Sequence, residues 1–239
     1  ASGNKDAVII GEGGSSRVTI QSTSGDIAIK GDARMPLVAS EDITGGSRYN
    51  GVNISSRALI STGSGAISIE GFGGGYDKFF ISENHGVKFA DTNTSVVSST
   101  GNILIKGTSG GKTSTSGGAN SFGIYAAGVN MYVGSGEDAY DVDTKLLASG
   151  PTASGVVTMA GDSMNFVNTA STHLKVASSG ELRMHTENAN TKIEFGTAGG
   201  LFDPVDLNQK TLYLGNNWFN GSANGVFQPG FRNIVVGNA

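Results

Sequence analysis

The acidic residues between positions 137 and 143 form the densest group of potential metal ligands in the sequence. Glu137, Asp138, Asp141 and Asp143 offer the hard oxygen ligands that Ca²⁺ prefers. The ligand spacing of a twelve-residue calcium loop is absent, and so is a Gly-Gly-x-Gly-x-Asp nonapeptide array. We therefore interpret the group as a solvated loop and predict no metal site. Calcium binding there is the open alternative.

Two glycine-rich segments resemble nucleotide-binding loops without completing the motif. Residues 7–13 read as a strand followed by Gly-x-Gly, but Ser16 stands where the third glycine belongs, and residues 17–20 read as another strand. Residues 110–113 end like a phosphate loop, but Lys106 occupies the position of its first glycine. A helix N-terminus, which would hold the phosphates, is expected in neither place. The sequence therefore predicts no cofactor.

The three histidines are isolated from one another in sequence. His173 and His185 both flank predicted strands, so a stacked fold would bring them together, whereas His85 stands apart. We favour a hydrogen-bonded or exposed role for each histidine over a role as ligand or base. Serine is abundant, yet no Gly-x-Ser-x-Gly elbow lies between a strand and a helix. We predict no catalytic residue and no enzyme activity.

The composition favours short strands joined by many turns. The 239 residues include 38 Gly, 4 Pro and no Cys, and only 15% are charged. Gly, Ser, Thr and Asn are poor helix formers, while 37% hydrophobic residues are enough to bury a core. Because the net charge is −4 with no basic run, we expect neither nucleic acid nor an anionic membrane as a partner. No segment reaches the length of a membrane span, so we expect no membrane insertion.

The dominant local pattern is an apolar–x–apolar tripeptide flanked by glycine or a small polar residue. Period-two alternation places the two apolar side chains on one face and the middle residue on the other. The pattern predicts strands of about three to five residues and no helix. It occurs at residues 18–20, 27–29, 67–69, 103–105, 164–166, 174–176, 182–184, 193–195 and 212–214.

An internal repeat organises these strands. The unit Ser/Thr-Gly-x-Ile-x-Ile-x-Gly occurs at 24–31, 64–71 and 100–107, with offsets of 40 and 36 residues. A companion glycine motif recurs in step at 50–52, 85–87 and 122–124. Two motifs in step indicate a repeat architecture, either two coils of a solenoid or one propeller blade per unit. We favour an all-β, right-handed parallel β-helix (solenoid) of roughly 18–20 residues per coil.

The pattern further predicts one β-helix domain over 1–239. Its coils are regular over about 15–135 and degenerate, with loop insertions, over about 136–239. The isoleucine pairs should form one buried ladder, and the glycine-rich stretches 71–75 and 107–118 should project from the stack and tolerate change. Residues 218–219 are expected to belong to a loop that covers the core. The isoleucines of the ladder are Ile27, Ile29, Ile67, Ile69, Ile103 and Ile105.

The units at 24–31, 64–71 and 100–107, each followed by a Gly-rich loop and a Gly-Val or Gly-Ile strand, resemble β-helical exoproteins of the filamentous-haemagglutinin type. The closing segment 230–237 is similar to that group as well. These are large repetitive adhesins exported by two-partner secretion. The resemblance implies a structural or adhesive rod that is secreted or held at the bacterial cell surface, and it carries over no catalytic residues. The partners expected are further copies stacked end to end or the continuation of a longer chain, and a cell-surface or glycan receptor.

Two other functions remain open. Parallel β-helices also host carbohydrate-active enzymes, which need paired carboxylates, or acids with a basic residue, on one outer face. The outward residues Asp26, Lys30, Glu70 and Lys106 are expected to be dispersed along the repeat, which argues against an enzyme. The third candidate is a phage tail-fibre or tailspike segment, which would be an intertwined trimer.

Overall fold

The computed structural model describes residues 6–11, 13, 16–34, 49–74, 83–110, 121–135, 154–167, 174–187, 192–196, 211–215, 218–219 and 225–238. Within these ranges the chain forms strands and turns and no α-helix, which confirms the prediction of an all-β fold. The strands are β1 (Val8–Ile10), β2 (Thr19–Ser22), β3 (Ile27–Asp32), β4 (Val52–Ile54), β5 (Leu59–Thr62), β6 (Ile67–Phe72), β7 (Val87–Thr92), β8 (Ser95–Ser98), β9 (Ile103–Thr108), β10 (Ile124–Val129), β11 (Met131–Ser135), β12 (Val157–Gly161), β13 (Met164–Phe166), β14 (Leu174–Ala177), β15 (Glu181–Thr186), β16 (Lys192–Gly196), β17 (Thr211–Gly215) and β18 (Asn233–Asn238).

The strands lie in three larger sheets that the chain visits in turn. The first sheet has the order β1-β4-β7-β10-β13, the second β2-β5-β8-β11-β14, and the third β3-β6-β9-β12-β15-β18. Strands β16 and β17 pair with each other. Every strand pair in the described residues is parallel, as it must be when neighbours in a sheet are three strands apart in the chain. The fold is thus a set of stacked parallel sheets.

One repeat unit, defined as one passage of the chain through the three sheets, matches the sequence repeat. In the third sheet Ile27 pairs with Ile67 and Ile67 with Ile103, offsets of 40 and 36 residues. The predicted spacing of 18–20 residues per coil is therefore wrong, because each repeat contains three strands and a single passage. The Ile-x-Ile motif marks only the third strand of each passage. Later offsets are uneven: Val157 pairs with Ile103 and Leu182 with Val157, 54 and 25 residues apart.

The interior is built from ladders of like side chains. The predicted isoleucine ladder is confirmed: Ile67, Ile69, Ile103 and Ile105 are at most 1% exposed and stack in register. Burying an aliphatic side chain of this size contributes about 1.5–3 kcal/mol. Ile27 is buried, but Ile29 is only half-buried, because β3 is an edge strand with a neighbour on one side only.

The glycines that end the third-sheet strands are packed, contrary to the prediction that they project from the stack. A Cβ added to Gly71 would lie 2.0 Å from the carbonyl oxygen of Gly86, and one added to Gly107 would lie 1.9 Å from that of Gly123. The backbone that begins the next repeat unit crosses directly over these positions. Glycine is required there because no other residue lets two backbones approach so closely. Gly75 and residues 111–118 lie outside the described residues.

Aromatic side chains fill the core beyond β13 and β14. Trp218 is 1% exposed, and its ring lies 4.6 Å from that of Phe166. Phe227 forms a parallel bridge with Val176 and stacks on Phe219 at 4.9 Å. The expectation that residues 218–219 help to cover the core is confirmed by this packing.

Candidate functional site

The outward face of the third sheet carries a row of charges that crosses three strands. Lys30, Glu70 and Lys106 are successive register partners on β3, β6 and β9. The Lys30 Nζ lies 3.9 Å from the Glu70 Oε2. The expectation that these residues are dispersed is wrong, because a sequence offset of 36–40 residues brings them onto adjacent strands.

Glu187 extends this charged face across one strand. Its carboxylate lies 3.4 Å from the Lys106 Nζ and accepts a hydrogen bond from the Thr108 hydroxyl. Glu187 follows β15, whereas Lys106 and Thr108 belong to β9, and β12 lies between them. At this level β12 contributes only Ala160 and Gly161, and their small size leaves room for the glutamate side chain to reach β9.

A cation–aromatic cluster marks the β3 edge of the same face. The Arg34 guanidinium lies 4.3 Å from the centroid of the Phe72 ring, and the Lys30 Nζ lies 5.6 Å from it. Arg34 Nε donates a hydrogen bond of 2.8 Å to Asp32. This bond lowers the pKa of Asp32 to about 2, with a further contribution from the charge of Lys30.

The charges of this face are balanced in pairs. Besides the pairs named above, Arg183 on β15 forms an ion pair with Glu181. A balanced polar surface of this kind offers fixed donors and acceptors to a polar partner, and such exposed ion pairs add little stability. A general acid would instead need a carboxyl group that keeps its proton, and a neighbouring cation favours the ionised form.

His85 lies at the corner before β7 in a ladder of hydrogen bonds between repeat units. Asp6 Oδ1 accepts from the Asn50 backbone N–H at 2.8 Å, and Asn50 Oδ1 accepts from the His85 N–H at 2.9 Å. His85 Nδ1 then accepts from the Phe122 N–H at 3.0 Å. The buried imidazole also stacks on the Tyr125 ring at 4.2 Å. These contacts give His85 a structural role at the junction of successive units.

The other histidines differ in their surroundings. His185 is half-exposed on the outward face of the third sheet, between its register partners Ala160 and Gly237. His173 lies outside the described residues, so the expected proximity of His173 and His185 stays a prediction.

Two lysines are buried on the outward faces of the first and second sheets. The Lys88 Nζ lies 3.2 Å from Glu83 and 5.9 Å from the centroid of the Tyr125 ring. Lys175 donates a hydrogen bond of 2.9 Å to the carbonyl oxygen of Gly225, and burial lowers its pKa. The sequence pattern predicted a solvated middle residue in Leu174-Lys175-Val176, and no local signal distinguishes this lysine from an exposed one.

The remaining candidates carry no site in the described residues. Glu137, Asp138, Asp141 and Asp143 lie outside them, as do Lys112 and Thr113 of the phosphate-loop look-alike. Strand β2 follows the glycines near residue 11, so the segment that resembled a dinucleotide loop is followed by a strand as expected. Across the part of the chain that is described, no group of three or more His, Asp or Glu side chains is arranged to hold a metal ion. No helix there has the length and apolar character needed to cross a membrane.

Comparison with known proteins adds no relative. No family model matches the chain, and neither a curated protein nor a solved structure is similar to it. The stacked sheets and their outward faces therefore carry the functional argument.

Proposed function

We propose that this chain is a structural or adhesive rod segment that acts by surface display and intermolecular contact. The observation that carries the proposal is the in-register stacking of repeat units. Identical residues such as Ile27, Ile67 and Ile103 lie one above another, so the fold grows along one axis. Each added unit contacts mainly its neighbours, which is how repeat proteins build extended surfaces.

In this proposal the three sheets close into a right-handed parallel β-helix. The fixed order of visits to the first, second and third sheets supports a chain that winds continuously around one core. Crossovers between parallel strands are strongly biased to the right hand, which supports the handedness. The shared core supports closure, because residues of all three sheets, such as Ile54, Ile60 and Ile69, belong to one buried cluster.

The balanced charges of the third sheet suit a displayed surface. The rows hold lysine, arginine and glutamate side chains in fixed positions, and a glycan or a cell-surface protein is the kind of partner that such groups bind. A location outside the cell, on a bacterial surface, rests on the resemblance to filamentous-haemagglutinin-type exoproteins. The partners proposed are neighbouring copies, or further coils of a longer chain, and a receptor of the host or of another cell.

A β-helical carbohydrate-active enzyme is the second candidate. It is favoured by one observation: Glu70 and Glu187 flank Lys106 on one outer face, which is the type of arrangement that such enzymes use. The rod is the stronger proposal because these groups are tied into ion pairs. A phage tail fibre would share the solenoid and differ in being a trimer.

Incubation with a panel of polysaccharides separates these functions. We expect retention of the chain on one or more glycans with no release of new reducing ends or unsaturated sugars. Cleavage that is lost in Glu187→Gln, and kept in the control Glu181→Gln, would replace the rod by the enzyme. A molar mass three times that of the chain, independent of concentration, would favour the tail fibre.

A further inference from the structure

The exposed apolar side chains of the described residues are concentrated at the two ends of the stack. The large hydrophobic residues that are exposed there belong either to the first repeat unit or to strands that follow β15; they are Ile9, Val18, Phe195, Ile234 and Val235. The repeat units between the ends bury their large apolar side chains or hold them half-buried. Concentrated apolar exposure of this kind marks an interaction surface.

Strand β18 is the more open of the two third-sheet edges. Ile234 is 50% exposed and Val235 is 48% exposed, and β18 pairs only with β15 among the described strands. The six residues Asn233–Asn238 contain neither a charged residue nor proline. Charge and proline are the usual means of protecting an edge strand, and an edge without them is a template for another strand.

The opposite edge of the same sheet, β3, has a complementary register. If the ladder of the sheet continued past β18, Ile234 would stack on a residue of the Ile27 row and Val236 on one of the Ile29 row. On the outward face Val235 would lie beside Ala28. Gly237 has open space where a Cβ would be, and it would lie beside Lys30 and leave room for the lysine stem.

We infer that β18 of one copy pairs in parallel with β3 of a second copy of this chain, so that the third sheet runs on from molecule to molecule. The inference rests on the proposed rod and names its partner. All strands in the sheet are parallel, so its two free edges are opposite in kind and fit head to tail. Such a contact is heterologous, and its repetition generates a fibre.

Single lysines at the two edges test this arrangement. Val235→Lys places a cation on β18 opposite Ala28 and near Lys30, while Ala28→Lys places one on β3; both positions are exposed, so the fold should tolerate them. Leu104→Lys is the matched control, because Leu104 lies in the same outward row on an interior strand. Circular dichroism and thermal melting at low concentration establish that each variant is folded.

Sedimentation velocity across a concentration series gives the readout. We expect the average mass of the wild type and of Leu104→Lys to rise with concentration, while Val235→Lys and Ala28→Lys each remain monomeric. An equal mixture of the two edge variants should form a dimer and no larger species, because each variant retains the edge that the other lacks. Three results would overturn the inference: a monomeric wild type at high concentration, self-association of Ala28→Lys alone, or no dimer in the mixture. A monomeric wild type that still binds glycans would refute only this inference and leave the proposed rod segment standing.

Discussion

Gly71 lies directly against the backbone of Gly86. A Cβ on Gly71 would stand 2.0 Å from the Gly86 carbonyl oxygen, closer than any side-chain carbon can approach. Gly71 ends a strand of the third sheet, and Gly86 precedes the first-sheet strand of the next repeat unit. The corner between these sheets is therefore set by backbone contact between successive units.

Gly71→Ala should lower the free energy of unfolding by about 3 kcal/mol, because the added methyl group forces two backbones apart. Gly237→Ala is the control, since a Cβ at Gly237 meets no atom within 4 Å among the described residues. Chemical denaturation at low protein concentration measures both. Equal midpoints for the two variants would show that the corner is not packed as described.

Ile69→Asp should destabilise the fold by several kcal/mol, on the order of 3–5, because it places an unpaired carboxylate in the ladder between Ile29 and Ile105. Ser68→Asp makes the same substitution on the adjacent outward position, which is half-exposed. We expect the control to change the thermal midpoint little. If Ile69→Asp melts with its parent, the inward face of β6 has been assigned wrongly.

Asn50→Ala should cost about 1–3 kcal/mol, because it removes the acceptor of the buried His85 N–H. Asn102→Ala removes a bond of the same kind, to the Val156 N–H, at an exposed position where water replaces the side chain. The control should therefore lose less stability in urea denaturation. A larger loss in Asn102→Ala than in Asn50→Ala would contradict the role given to the corner ladder.

Asp32 should titrate with a pKa of about 2 by NMR, because Arg34 donates hydrogen bonds to its carboxylate. Arg34→Gln should raise that pKa towards the ordinary value of 3.8. Since the folded value lies below the unfolded one, the pair stabilises the fold above pH 3.8, and this contribution is lost as the pH falls through 2. The pair is exposed to solvent, so we expect less than about 1 kcal/mol. An unchanged titration in Arg34→Gln would exclude Arg34 as the cause.

The sequence alone predicts the strands of the third sheet and their ladder, because identical residues at matching positions report stacking directly. It does not predict the length of one passage. Strands such as β4 and β5 are short, and their apolar pattern does not repeat in kind, so the Ile-x-Ile unit seemed to account for half a repeat. The packing of Gly71 was missed for a related reason: a glycine in a projecting loop and one under a neighbouring backbone look alike in sequence.

The candidate site shows the same division. The residue types of the charged row were visible in the sequence, yet their adjacency follows only from the register of Lys30, Glu70 and Lys106. Glu187 reaches Lys106 because Ala160 and Gly161 are small, a relationship between three strands that spacing cannot reveal. Lys175 looks like a solvated strand residue until its contact with Gly225 is known.

Methyl NOEs between isoleucines test the central claim, that successive units stack in parallel with offsets of 40 and 36 residues. In a chain labelled at isoleucine δ1 methyl groups, Ile67 should show NOEs to both Ile27 and Ile103, and Ile69 to Ile105. Ile27 and Ile103 lie two strands apart, roughly 10 Å at the usual strand spacing, and should show none. A direct NOE between Ile27 and Ile103, or none between Ile67 and Ile103, would contradict the stacked repeat on which the proposed rod depends.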